Sequence, residues 1–127
     1  MASKCKKPKD MMAALKACGV VDAMQAAGKA SKRGPFELHF KTVAEGLGAL
    51  NWLMIEPNPR EMIEHGIGGA DYSANKIRIA HKRNTPTFDE HQHAFCDSLK
   101  KLLSDLIPYT KQHHLTGVSW NFRGQDP

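Results

Sequence analysis

The side chains that could do chemistry here are seven histidines, three cysteines and a scatter of carboxylates. His91 and His93 stand two apart, roughly 200° of arc on a helix, so their rings cannot hold one ion. His93, Cys96 and Asp97 fall at i, i+3 and i+4 and could supply two or three metal ligands. No fourth partner follows at helical spacing and no HExxH occurs, so a partly exposed helix surface is expected rather than a metal site. His113 and His114 close a helical stretch, where the negative end of the dipole favours an imidazolium; that role is structural. Cys18 lies on an apolar stripe and Cys96 has no helix N-terminus beside it, so neither thiol is expected to be activated. GxSxG is absent, and Gly66-Ile67-Gly68-Gly69 follows no strand, which removes it as a phosphate cradle. The carboxylates are scattered surface residues. Nothing calls for a cofactor, and the chain reads as a non-enzyme.

The frame for these residues is a single domain of 127 residues with 41% apolar and 24% charged side chains, ordinary globular values. No apolar run approaches the roughly 20 residues that cross a bilayer. Met1-Ala2-Ser3-Lys4 offers no apolar export signal and no glycine for myristoylation. Three irregularly spaced cysteines make no disulfide framework, which fits a reducing, cytoplasmic setting. The net charge of +5 is local: residues 1–33 hold eight Lys/Arg against two Asp/Glu, and the other ninety-four hold ten against eleven. Residues 1–9 therefore read as a flexible basic arm on a near-neutral domain spanning 10–127. A solvated tail accounts for that pattern more simply than a phosphate-binding arm.

Proline and glycine divide the chain into four segments that all read as helix. The first runs from Asp10, a capping carboxylate, to about Gly28. The second runs from Pro35 to about Leu53, where Phe36, Phe40, Val43, Leu47 and Leu50 recur in steps of 4, 3, 4 and 3, a helical period that no strand shares. Gly46 and Gly48 in it suggest close packing against a neighbour. The rigid break Glu56-Pro57-Asn58-Pro59 places Asn58 as cap and Pro59 at the first helical position of the third segment, which extends to about Lys82. Its stripe is Ile63, Ile67, Ala70, Ala74, Ile77 and His81, with a weak spot predicted at Gly66–Gly69. Thr87-Phe88-Asp89-Glu90 reads as a capping box opening the fourth, which runs to about His114 with Phe88, His91, Phe95, Leu99, Leu102, Leu106 and Tyr109 on one face. Pro108 should bend it near Ser104. Short connectors favour antiparallel neighbours, so the predicted fold is all-α, an up-and-down bundle of about four main helices.

Some residues are not required by a bundle core: Trp52, the Pro57-Asn58-Pro59 corner, Asn75-Lys76 and Trp120. The blander reading makes the tryptophans core caps and Asn75-Lys76 a solvated helix face. At these positions the chain resembles a known family. Leu50-Asn51-Trp52, Glu56-Pro57-Asn58-Pro59, Tyr72-Ser73-Ala74-Asn75-Lys76-Ile77 and His114-Leu115-Thr116-Gly117-Val118-Ser119-Trp120 occur in the order and spacing of the N-terminal helical domain of cyclase-associated proteins. Similarity runs from about Cys5 to Gly124.

That resemblance implies the last four helices of an antiparallel six-helix bundle, as a fragment or minimal relative. It also implies binding to actin together with ADF/cofilin, faster filament disassembly and monomer recycling, with no catalytic site; adenylyl cyclase enters as a partner through the resemblance alone. Nucleotide exchange on actin, which the resemblance assigns to other parts of the family's proteins, is not expected of these residues. The chain departs from the pattern in pairing Tyr72 with Ser73 and in the glycine cluster of the same helix. By motif match and surface logic the contact residues are Pro57, Asn58, Pro59, Arg60, Asn75, Lys76 and Lys82. Lysines would steer approach to an acidic partner, and a rigid proline corner would anchor it with little entropy lost. The alternative is a nucleic-acid-binding domain using the basic arm, with a metal-dependent enzyme built on His93 and Cys96 behind it. No membrane partner is expected. Dimerisation stays open, since two missing helices would leave an apolar groove bare or filled by a second copy.

Overall fold

The computed structural model describes Ala2, residues 4–31 and residues 33–126. Met1 and Ser3 of the basic stretch, Lys32 of the second connector and the terminal Pro127 lie outside the described residues. Among the described residues five α-helices follow one another: α1 (Met11–Ala17), α2 (Val20–Ala30), α3 (Glu37–Leu47), α4 (Pro59–Ala80) and α5 (Glu90–His113). A 3-10 helix, Gly48–Met54, joins α3 to the corner before α4. The all-α bundle is as predicted, and several of the expected details differ.

The first predicted helix is two. Asp10 does cap α1, its carboxylate accepting from Ala13 N–H at 3.0 Å, but the helix stops at Cys18. Gly19 then takes φ +80, a left-handed turn that suits a residue without Cβ. The second segment tightens to a 3-10 helix from Gly48 onward. The cap sits two residues later than predicted and the capping box is not formed: Asp89 is the cap, accepting from His91 N–H at 2.9 Å, while Thr87 donates back to Ala80 C=O at 2.8 Å. Bonds from Gln92 first, and then from the His91 amide, hold the Asp89 carboxyl below its ordinary range. Asn58 occupies the predicted cap position of α4, yet its side chain donates to Glu61 rather than capping the backbone. Helix α5 runs through Pro108 to His113.

Helix α4 is the hub. Pro59, Ile63, Gly66, Ala70, Ser73, Ala74 and Ile77 bury one face, against which α3, the 3-10 helix and α5 all pack. Ala49, Trp52, Ile63, Ala70 and Leu103 form the main cluster, and Ala74, Ile77 and Cys96 the second. The glycine cluster is no weak spot: α4 is continuous, and Gly66 is where the 3-10 helix crosses it, so close that a Cβ there would lie 2.6 Å from Ala49 N. Of the two glycines expected to pack closely, Gly46 does, with Leu103 at 3.0 Å from the Cβ position, whereas Gly48 faces open space.

The buried faces of α3 and α5 are rotated from the predicted stripes. Phe36 and Phe40 are 56% and 42% exposed, Leu102 64% and Tyr109 47%. Inside instead are Thr42, Gly46 and Ala49, and Cys96, Leu103 and Thr110. Thr42 and Thr110 are tolerated there because each hydroxyl donates to a carbonyl of its own helix, to Leu38 at 2.7 Å and to Ile107 at 3.0 Å.

The chain ends meet. Lys6 N–H donates to Gln125 C=O at 2.9 Å, Gln125 N–H to Lys4 C=O at 3.0 Å, and Asn121 N–H to Cys5 C=O at 3.2 Å. Pro8 is buried. Lys7 pairs with Glu56 at 3.0 Å and Lys6 with Asp126 at 3.1 Å. Among the described residues, the stretch read as a basic arm thus has the side chains of two of its four lysines, Lys6 and Lys7, in ion pairs. No helix among the described residues is long and apolar enough to cross a membrane.

Candidate functional site

The proline corner is built from two separated stretches of the chain. The 3-10 helix ends at Met54, the chain turns through a cis Glu56–Pro57 bond, and Pro59, buried, starts α4 with a φ already set for a helix. Gly117 presses on the turn from the far end of the sequence. A Cβ at Gly117 would stand 2.6 Å from Glu56 Cγ and 2.9 Å from Ile55 O, and its φ is +101. The Thr-Gly-Val segment is thus the seat of the corner, and Val118 packs on the main core cluster. Trp52, 5% exposed, belongs to that core and sets its ring edge-on to Tyr109 at 6.5 Å and near His114 at 5.3 Å.

Around the corner, Pro57, Asn58 and Arg60 are exposed. Arg60 is drawn along the helix to Glu64 at 2.7 Å, a solvent-exposed pair that adds little stability. Beside them a cleft of about 140 Å³ opens between the start of α4 and the end of α5, lined by Asn58, Pro59, Arg60, Ile107, Thr110, Lys111 and Leu115. The α5 lining was not singled out from sequence. Ile107, Lys111 and Leu115 at steps of four were the available signal, and the unneeded Leu115 is 67% exposed.

Asn75, Lys76 and Lys82 lie elsewhere. Eighteen residues separate Asn58 from Lys76, about 27 Å at the helical rise, so the seven predicted residues do not form one patch. Exposed positions of α4 connect the two groups: Arg60, Glu64, Gly68, Tyr72, Asn75, Lys76 and Ile79 follow one stripe. Tyr72 and Ile79, 63% and 72% exposed, are its apolar members. Ile79 falls outside the phase of Ile63 and Ile77, which was its signal in the sequence. Lys76 lies over the Tyr72 ring at 4.5 Å, a cation–π contact that holds its charge above the stripe.

An ion network stiffens this end. Arg78 donates to Asp97 at 2.8 Å, to Asp71 at 3.3 Å and to Asn75 at 2.9 Å, and Lys100 also pairs with Asp71. Burial acts most strongly on Asp71 and would raise its carboxyl, but Lys100 and Arg78 together outweigh it and hold the group below the ordinary 3.8. Burial likewise pulls Arg78 down, and its bonds to Asp97 and Asp71 more than restore it. A carboxyl depressed in the folded state stabilises above its unfolded value and stops doing so as pH falls through the folded one. Asp71→Asn is therefore expected to destabilise by about 1 kcal/mol at neutral pH. The gap between variant and parent should close between about pH 5 and pH 2 in urea titrations.

The candidate metal ligands point to different partners. His93 bonds to His81 C=O at 2.7 Å, Cys96 is buried with Sγ 3.6 Å from Ala74 O, and Asp97 takes Arg78. Burial pushes the Cys96 thiol up, away from the thiolate. Among the described residues no three His, Cys, Asp or Glu side chains gather as a metal site.

Comparison with known proteins follows this geometry. Residues 1–118 match the family model described as CAP, N-terminal domain. The adenylyl cyclase-associated protein of Dictyostelium discoideum is 28% identical over 96 residues, covering 76% of this chain and 20% of that protein. That of Schizosaccharomyces pombe is 30% identical over 80 residues, 63% of this chain and 14% of that protein. The chain thus spans about a fifth, or less, of the length of these relatives. Among solved structures, the N-terminal domain of the Dictyostelium protein superposes with a TM-score of 0.80 at 27% identity, covering 98% of this chain and 70% of that one. A crystal structure of the N-terminal domain of CAP, described as indicating variable oligomerisation, gives 0.74 at 25% identity, covering 98% and 67%.

Proposed function

The chain belongs to the family of CAP N-terminal domains, and on that premise we propose that it is a non-catalytic regulator of the actin cytoskeleton in the cytoplasm. In this reading it binds actin together with ADF/cofilin, promotes filament disassembly and returns monomers for reuse. The observation that carries the reading is the family match over residues 1–118, which takes in both the proline corner and the exposed stripe of α4. The relatives are named for association with adenylyl cyclase. The actin reading is preferred here because it is what the motif resemblance at the Pro57-Asn58-Pro59 corner and at Asn75-Lys76 implies.

The surface suits an elongated acidic partner. Pro57 and Asn58 at the corner, with Arg60, give a rigid anchor beside the cleft; Asn75, Lys76 and Lys82 give a cationic second contact about 27 Å away. Anchors in a preformed cleft supply affinity, and separate cations raise the rate of encounter. Pelleting and depolymerisation of cofilin-decorated actin filaments test the proposal. The chain is expected to speed filament loss, and Asn58→Ala/Arg60→Ala to slow it by about tenfold with an unchanged melting curve, the scale of one or two interface anchors. Lys76→Ala/Lys82→Ala should weaken the effect chiefly at low salt. A chain that leaves decorated filaments untouched would end the proposal.

A further inference from the structure

We propose that Thr85 is a phosphoacceptor for proline-directed protein kinases, and that its phosphate remodels the α4–α5 turn and withdraws Lys82 from partners. Thr85-Pro86 is the only Ser-Pro or Thr-Pro pair in the chain. It lies in the connector between α4 and α5, where no residue from 81 to 89 is buried. The connector can therefore be drawn into an extended conformation on an enzyme without opening the core.

The hydroxyl is already a structural device. Thr85 Oγ1 donates to Lys82 C=O at 2.6 Å and lies 3.1 Å from Thr87 Oγ1, which donates to Ala80 C=O. Phe88 N–H closes the turn on Thr85 C=O at 3.1 Å, with Pro86 at the position whose φ the ring presets. In the reaction Thr85 Oγ1 attacks the γ-phosphorus of a nucleoside triphosphate. An O–P bond forms, the β–γ phosphoanhydride bond breaks, and nucleoside diphosphate and the hydroxyl proton leave. The product oxygen can no longer donate to Lys82 C=O.

The new group carries nearly two negative charges. It stands at the C-terminal end of α4, the negative end of that helix's dipole, with Asp89 and Glu90 close in sequence on the other side. The cations within reach are Lys82 and Arg83, both exposed and in no ion pair among the described residues. Pairing with them is the favourable outcome, since charge-assisted bonds to phosphate are the strong ones. The last turn of α4 loosens as a result, and Lys82 is no longer available to an acidic surface.

Incubating the whole chain with a cyclin-dependent or mitogen-activated kinase and magnesium ATP tests this, with the site located by fragment mass spectrometry. One phosphate is expected, on Thr85, and incorporation should fall to background in Thr85→Ala and in Pro86→Ala. Amide exchange at residues 78–82 should speed up on phosphorylation. No transfer to the folded chain, transfer to another residue, or a Thr85→Ala variant labelled like the parent would each overturn the assignment. So would labelling of a peptide spanning residues 79–90 when the folded chain resists. The effect on partners rests on the actin reading above: phosphorylation should reduce activity on decorated filaments to the level of Lys82→Ala and lower that variant no further. Should the unmodified chain have no such activity, that reading fails while the labelling result stands by itself.

Discussion

Gly66→Ala is expected to lower stability by about 2 kcal/mol, and Gly68→Ala, two residues along the same helix, to raise it by about 0.5–1 kcal/mol. Both replacements gain the same helix propensity, because alanine loses less backbone entropy on folding. They differ in what the new methyl meets. At Gly66 it would stand 2.6 Å from Ala49 N, 2.7 Å from its Cβ and 2.8 Å from its Cα. Two of these atoms are backbone, so relief requires the 3-10 helix to move away from α4 and to disturb Trp52 and Ile63 with it. At Gly68 nothing lies within 4 Å and the position is exposed. Urea unfolding should show midpoints shifted in opposite directions at an unchanged slope. Two shifts of the same sign would mean that the crossing at Ala49 is not as close as described.

Gly117→Ala is expected to destabilise by about 2 kcal/mol or more and to impair filament activity beyond what the stability loss explains. A φ of +101 is a conformation that L side chains rarely adopt, and the added Cβ would meet Glu56 Cγ at 2.6 Å and Ile55 O at 2.9 Å. The atoms that a Cβ would meet belong to Ile55 and Glu56, in the turn that presents Pro57 and Asn58 and outside the helical segments that end at Met54 and begin at Pro59. Circular dichroism should thus retain the helical signal at 25 °C as depolymerisation activity falls. Thr116→Ala, next to it and exposed, is the matched control. Full activity in Gly117→Ala would separate the corner from the function.

These two glycines show where sequence reading stops. The helical period of α4 was legible because Ile63, Ala70, Ala74 and Ile77 are apolar residues on a face that is in fact buried. On α3 and α5 the same rule was right only in part: Phe95, Leu99 and Leu106 pack against the core, while other residues of the predicted stripes stay exposed. Thr42 and Thr110 look polar, but they satisfy their hydroxyls on their own helices and so pass as core residues. Phe36, Phe40 and Tyr109 look like core residues yet stay partly in water. Of the candidate contacts, exposure was readable for Asn58, Arg60, Asn75, Lys76 and Lys82. Their division between the two ends of one helix followed from simple rise per residue. The α5 half of the cleft did not, since it depends on how α5 crosses the start of α4.

The amino-acid order alone determined the helical class and most helix boundaries, because caps, prolines and a period near 3.6 residues act within a few positions of one another; the family was legible separately, through the resemblance of its motifs. Tertiary structure alone decided how far the buried flanks of α3 and α5 turn from their apolar stripes, and that Gly66 is a crossing point rather than a soft spot. It also decided that Gly117 seats a corner sixty residues earlier in the chain. Contacts of that kind are set by the shape of a distant neighbour, and no local pattern encodes it.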